Sequence, residues 1–132
     1  MDIEQARAFI RQNPRAVLAT LRRDGRAQMT PIMVGVEPGG QLEISSSERT
    51  AKVHNLRRDP RASLCVFTER FYGSHVEVEG RAEIISLPEA MELLVAYYRN
   101  LAGEHPDWDE YRRAMIAEGR CLIRMTIEKA VG

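Results

Sequence analysis

The sequence predicts one mainly-β domain, a small six-stranded antiparallel barrel of Greek-key type with flanking helices, and three observations predict it. Asp24-Gly25 lies between two strand-like runs, and a tight turn that needs positive φ between such runs signals a hairpin. Residues His75 to Ile84 alternate strictly: Val76, Val78, Gly80, Ala82 and Ile84 face one way, His75, Glu77, Glu79, Arg81 and Glu83 the other. The long βαβα alternation of a doubly wound sheet is absent, and closing into a barrel removes the edges that such strands would expose.

The elements follow in order. Asp2 caps a short helix, Gln5 completes its capping box, and Ile3, Ala6, Phe9 and Ile10 form its apolar stripe until Pro14 stops it. Arg15 to Leu21 is the first strand and about Arg26 to Val36 the second. Pro31 cannot donate to a ladder, so it marks an edge or a bulge, and Gly35 adds a second irregular point. Pro38-Gly39-Gly40 turns the chain into a strand from about Gln41 to Ser46. A helix over Glu48 to Arg58 is capped by Ser46 or Ser47, carries Val53 and Leu56 inward, and ends at Asp59-Pro60. Ala62 to Thr68 is the fourth strand and His75 to Ile84 the fifth. A helix capped by Ser86, with Glu89 three residues on, shows Ala90, Leu94, Tyr97 and Leu101 on one face. The next starts near Asp107, aligns Trp108, Tyr111 and Met115, and stops at Gly119; Arg120 to Glu128 is the sixth strand.

Composition excludes several classes of function. Nineteen Lys and Arg balance nineteen Asp and Glu, so the basic excess of a non-specific nucleic-acid binder is missing. No apolar run approaches the ~20 residues of a membrane span. Met1-Asp2-Ile3-Glu4 lacks a signal-peptide pattern and the C-terminus lacks a lipidation box, so a cytoplasmic protein is expected, with residues 1–132 as a single domain. Cys65 and Cys121 both fall in apolar runs without metal-type spacing and are expected in the core. His54, His75 and His105 are scattered, so no metal site is expected.

The segment Ser45-Ser46-Ser47-Glu48-Arg49-Thr50-Ala51-Lys52 passes from a strand into the first turn of a helix. A helix start offers unpaired N–H groups to an anion, Arg49 and Lys52 share a face, and Thr50 adds a hydroxyl. The alternative is a serine cap followed by surface basic residues. Arg57 and Arg58 extend the basic character toward the helix end, where cations are favourable in any case. Glu77, Glu79 and Glu83 share a strand face with Arg81, a pattern of a wet surface more than of acid–base catalysis. No catalytic nucleophile with a partner base is identified, so a bound cofactor is expected to carry any chemistry.

Several runs resemble one known family. Arg15-Ala16-Val17-Leu18-Ala19-Thr20-Leu21 with Asp24-Gly25-Arg26-Ala27-Gln28 resembles the opening hairpin of the pyridoxamine 5′-phosphate oxidase-like split β-barrels, the FMN-binding split-barrel type. Residues Ala51 to Arg61 resemble their phosphate-binding helix. The run Tyr98-Arg99-Asn100-Leu101-Ala102-Gly103-Glu104-His105-Pro106-Asp107-Trp108-Asp109-Glu110-Tyr111 is similar to a signature of the branch that binds the deazaflavin coenzyme F420.

The resemblance implies a homodimer with cofactor sites between subunits and hydride transfer from reduced F420 to an electron-poor small molecule. It places the cofactor phosphate on Lys52, with Thr50 and Arg49 beside it. It sets Gln28 and Thr30 toward the cofactor, Ser45 and Ser46 along the ring, and Tyr72 and Ser74 in a loop contributed by the other subunit. The chain departs from the family at Thr50, where Arg is common, and at Pro31, where a polar residue is common. Either Arg49 supplies the missing charge or affinity is lower. FMN as cofactor, a carrier or sensor without turnover, and a plain dimerisation module are the alternatives. The F420 tail is anionic and would favour Arg57 and Arg58 along its exit.

Overall fold

The computed structural model describes residues 1–132. Eleven elements follow one another: α1 (Ile3–Gln12), β1 (Arg15–Leu21), β2 (Ala27–Met33), β3 (Gly35–Val36), β4 (Leu42–Ser47), α2 (Ala51–Arg58), β5 (Arg61–Phe67), β6 (His75–Ser86), α3 (Met91–Ala102), α4 (Trp108–Ala117) and β7 (Arg120–Val131). All strand pairs are antiparallel, in one sheet of order β2-β1-β5-β6-β7-β4-β3. The sheet curls until β2 and β4 approach each other, a mainly-β split barrel with flanking helices.

Seven strands stand where six were expected, because the run from Arg26 to Val36 divides. Val34 leaves the strand and its N–H donates to the Pro14 carbonyl at 2.8 Å. Pro31 pairs with Val17 on β2, which is a sheet edge where its missing donor leaves no gap in a ladder. At Gly80 the ladder between β6 and β7 shifts register, and a Cβ there would sit 1.9 Å from the Thr126 carbonyl oxygen. Only glycine permits that approach, which bends the two longest strands.

The core has two parts. Inside the barrel, Leu18, Ile44, Leu64, Val78 and Ile123 join Ala6 and Ile10 of α1 and Val53 and Leu56 of α2, so the two helices plug the barrel. Outside it, Ala90, Leu94 and Val95 of the α3 region pack with Tyr111 and Met115 of α4 over Leu122. Truncating any of the fully buried leucines or isoleucines to Ala removes about 2–5 kcal/mol. No helix is long and apolar enough to cross a membrane.

Local signals hold at α1, where Asp2 and Gln5 form the capping box, and at α4, where Asp107 accepts from Glu110 N–H. Gly119 follows α4 with φ of 60°. Two expected caps are corrected. Ser86 ends β6 and donates its hydroxyl to Glu48 at 2.6 Å, so α3 starts only at Met91. Ser46 and Ser47 remain in β4, and α2 starts at Ala51. Cys121 is buried as expected, but Cys65 is exposed. Its neighbours Leu64 and Val66 take the inward positions of β5, and the two-residue period turns Cys65 outward.

Candidate functional site

The strand β4 delivers the chain to a two-residue turn and then to α2. Thr50 occupies the N-cap position of α2 with extended backbone, yet its hydroxyl does not cap the helix. It donates instead to the Ser47 carbonyl at 3.0 Å and lies 3.0 Å from the Ser46 hydroxyl. The backbone N–H groups of Ala51, Lys52 and Val53 therefore find no acceptor within the chain. Glu48 is pinned on the other side of the turn by Ser86 and by Arg57 at 2.5 Å. Burial raises its pKa, but the Ser86 and Arg57 hydrogen bonds outweigh that and hold the carboxyl below its ordinary value. The acid next to the helix start is thus neutralised.

Lys52 is 9 % exposed, its aliphatic stem buried and its ammonium still reaching water. It makes no hydrogen bond or ion pair: every salt bridge in the molecule joins an arginine to an acid. Burial, and then the nearby Arg120 guanidinium, pull its pKa below the usual 10.5. Three free N–H groups and an unpartnered lysine on one helix turn are a donor set chemically suited to an anion. Arg49 is exposed and has no acid partner, although only its backbone is tied in, through Ser47.

Arg120 was not legible in the sequence as a member of this site. It opens β7 opposite Ser47, and the Glu48 N–H bond to the Gly119 carbonyl at 2.8 Å holds that junction against the start of α2. Its side chain lines a cleft of about 510 Å³ with Met33, Ser45, Tyr97, Tyr98, His105 and Tyr111 among others. Cys121, the next residue, lies on the inner side near Lys52, and burial pushes its thiol up to about 11, so it stays protonated.

The remaining residues singled out in the sequence lie in separate places. Gln28 and Thr30 share the half-buried face of edge strand β2, joined by a 2.8 Å hydrogen bond, and Gln28 connects through Thr20 to Asn55 on α2. Ser45 faces the cleft, whereas Ser46 is 1 % exposed and turned inward, so alternate strand positions set the two on opposite sides. Tyr72 and Ser74 stand exposed in the turn between β5 and β6, Tyr72 edge-on to Phe71. Arg57 is held by Glu48 and Ser86, and Arg58 by the Leu21 carbonyl and Asn55, so both are engaged within the chain. The free basic residues at that end of α2 are Arg22 and Arg23, which share a notch with Arg58 and Arg61. Glu77, Glu79 and Glu83 are exposed, as a wet strand face requires. No group of three potential metal ligands exists.

The aromatic segment packs on itself. Tyr98, His105, Trp108 and Tyr111 have ring centroids within 5.1–5.7 Å of one another, and Arg99 lies 4.9 Å over Trp108. Trp108 is therefore packing, with its Nε1 donating to Glu104 at 3.0 Å.

Comparison with solved structures gives the same architecture. A conserved hypothetical protein of Mycobacterium tuberculosis, Rv2991, superposes with a TM-score of 0.79 at 26 % identity, covering 98 % of this chain and 82 % of that one. A protein named as an F420 reductase superposes with 0.73 at 18 % identity, covering 94 % of each chain. General Stress Protein 26 of Bacillus anthracis gives 0.65 at 18 %, covering 97 % and 90 %. The last two share the fold alone at such identities. The family profile described as pyridoxamine 5′-phosphate oxidase matches residues 3–131, nearly the whole chain. By that match and by its split barrel, the chain belongs to the pyridoxamine 5′-phosphate oxidase family of flavin-binding folds.

Proposed function

We propose that this protein is an F420-dependent oxidoreductase that works as a homodimer and reduces an electron-poor small organic molecule. The observation that carries the reading is an unpartnered lysine, Lys52, on the first turn of a helix whose Ala51, Lys52 and Val53 N–H groups are free. A phosphate ester fits that donor set, because each of its oxygens can accept a charge-assisted or backbone hydrogen bond. When bound, the deazaflavin supplies the hydride. The chain's own residues bind and orient: Lys52 and the α2 N-terminus hold the anion, with Thr50, fixed by Ser46 and Ser47, at the mouth. Gln28, Thr30 and Ser45 border the gap in which the rest of the cofactor would lie.

The dimer reading is supported by the outer face of β2, β1 and β5. Met29 and Met33 are 67 % and 45 % exposed, Pro31 lies between them, and Val17 and Cys65 stand in register beside Pro31. A continuous apolar sheet face of this kind suits a second copy of the chain. Tyr72 and Ser74, exposed on their turn, are then available to the neighbouring site.

F420 is favoured over FMN by the resemblance of Tyr98 to Tyr111, which the fold packs around the cleft shared by Ser45 and Arg120. The anion seat itself suits one phosphate of either cofactor. Parallel calorimetric titration with F420 and FMN tests the choice: tight F420 binding supports it, and FMN binding without F420 binding overturns it. If F420 binds but no quinone or enone oxidises its reduced form, the protein is a carrier.

A further inference from the structure

The candidate site has two walls, β2 with Gln28 and Thr30 and β4 with Ser45, that belong to one curled sheet but are not paired with each other. The separation is set at one rung. β3 pairs with β4 as Gly35↔Glu43 and Val36↔Leu42. Continued toward β2, that register brings Met33 opposite Ser45, where a backbone bond would close the barrel. No such bond forms.

The side chain of Tyr97 enters from α3 instead. Its hydroxyl donates to the Met33 carbonyl at 2.8 Å, and the Ser45 N–H faces the phenol oxygen from the β4 side. Burial raises the phenol's pKa, so near neutral pH it keeps the proton it donates. The helix that carries it is anchored on both sides of this point. Leu94, one turn earlier, is fully buried, and Asn100, one turn later, donates to the Val36 carbonyl at 3.3 Å. A direct rung would hold nitrogen and oxygen about 2.9 Å apart, whereas a hydroxyl standing between them holds them roughly 5 Å apart. Beyond this point β2 and β4 stay unpaired, and α2 packs against β2.

We propose that Tyr97 is a positioning residue whose hydroxyl, standing between Met33 and Ser45, props β2 and β4 apart so that the gap beside α2 admits a flat conjugated ring. The ring's part in this rests on the cofactor reading given above; the prop itself does not. Tyr97 touches neither Lys52 nor the free N–H groups by hydrogen bond, so its loss should act on the ring and not on the phosphate.

The test uses the full chain and the variant Tyr97→Phe, which keeps the ring and removes the oxygen. Hydrogen exchange is followed at the Ser45 amide, with Ile123 as an internal reference, and FMN, F420 and inorganic phosphate are titrated in turn. The expected result is a protected Ser45 amide in the parent that exchanges at least about tenfold faster in the variant. The cofactor that the parent binds should lose about tenfold in affinity, while phosphate affinity changes by less than about twofold. Free exchange of Ser45 in the parent overturns the proposal, and this measurement decides even if the variant does not fold. Unchanged cofactor affinity overturns it, and so do equal losses for cofactor and phosphate, which would mark general loosening. A parent that binds neither FMN nor F420 overturns the functional reading and the ring's part in the proposal, while Ser45 exchange still decides whether the prop exists.

Discussion

Lys52 and Arg120 bring two cations to one neighbourhood, and only Arg120 has an acid partner, Glu118 at 3.0 Å. The two residues lie on α2 and at the start of β7, and the junction of β4 with β7 brings them together. Burial, and after it the Arg120 guanidinium, disfavour the charge on Lys52, a cost that a bound anion would relieve.

Replacing the ammonium should therefore separate binding from stability. Lys52→Met is expected to weaken phosphate and cofactor binding by about 10–100-fold, the weight of one charge-assisted hydrogen bond. It should leave the fold at least as stable, with Tm unchanged or raised by on the order of 1–3 °C, because an unpaired, largely buried cation disappears. Calorimetry and a thermal melt read the two effects. Equal affinity in parent and variant would mean that the phosphate binds elsewhere.

The same residue sets a pH dependence. Its pKa in the unliganded fold lies below 10.5, so anion affinity should fall as pH rises through that lowered value, earlier than for a free lysine. In that window binding takes up a proton, which titrations in buffers of different ionisation enthalpy detect. The stability of the unliganded protein should move the other way. Between the lowered pKa and 10.5 the unfolded chain binds more protons, so this group makes the fold more stable with rising pH.

Tyr111 behaves oppositely. Burial pushes its phenol up to about 12 from 10.0, and its hydroxyl donates to the Leu94 carbonyl at 2.9 Å. Its contribution is fully present below pH 10 and is lost as pH rises from 10 toward 12, where the unfolded chain has released the proton first. Tyr111→Phe should cost about 1 kcal/mol in urea unfolding near neutral pH and remove this alkaline slope.

Gly80→Ala should be among the most damaging single changes. A methyl group 1.9 Å from the Thr126 carbonyl oxygen cannot be relieved by a side-chain rotation, since the clash is with backbone. A loss of about 2–4 kcal/mol is expected, read as a lowered urea midpoint.

Met29→Arg addresses the dimer. It places a charge in the middle of the apolar outer face, where Met29 pairs with Ala19. Sedimentation should find the parent as a dimer and the variant as a monomer with an unchanged far-ultraviolet spectrum. A monomeric parent would remove the reading in which two copies build each site.

Features that depend on a few neighbouring residues could be read along the chain alone. The alternation from His75, the Asp24-Gly25 hairpin, the caps at Asp2 and Asp107 and the stop at Gly119 all appear where the pattern put them, because each is decided by local backbone geometry. The outward turn of Cys65 was also written in the alternation of β5, but was masked because both faces of that strand carry apolar residues. The division at Val34, the late start of α2 and the meeting of Lys52 with Arg120 and of Tyr97 with Met33 and Ser45 emerge from the folded arrangement. Those depend on sheet register between strands far apart in the chain, and a register formed by long-range pairing leaves no signature in the residues on either side of any one position.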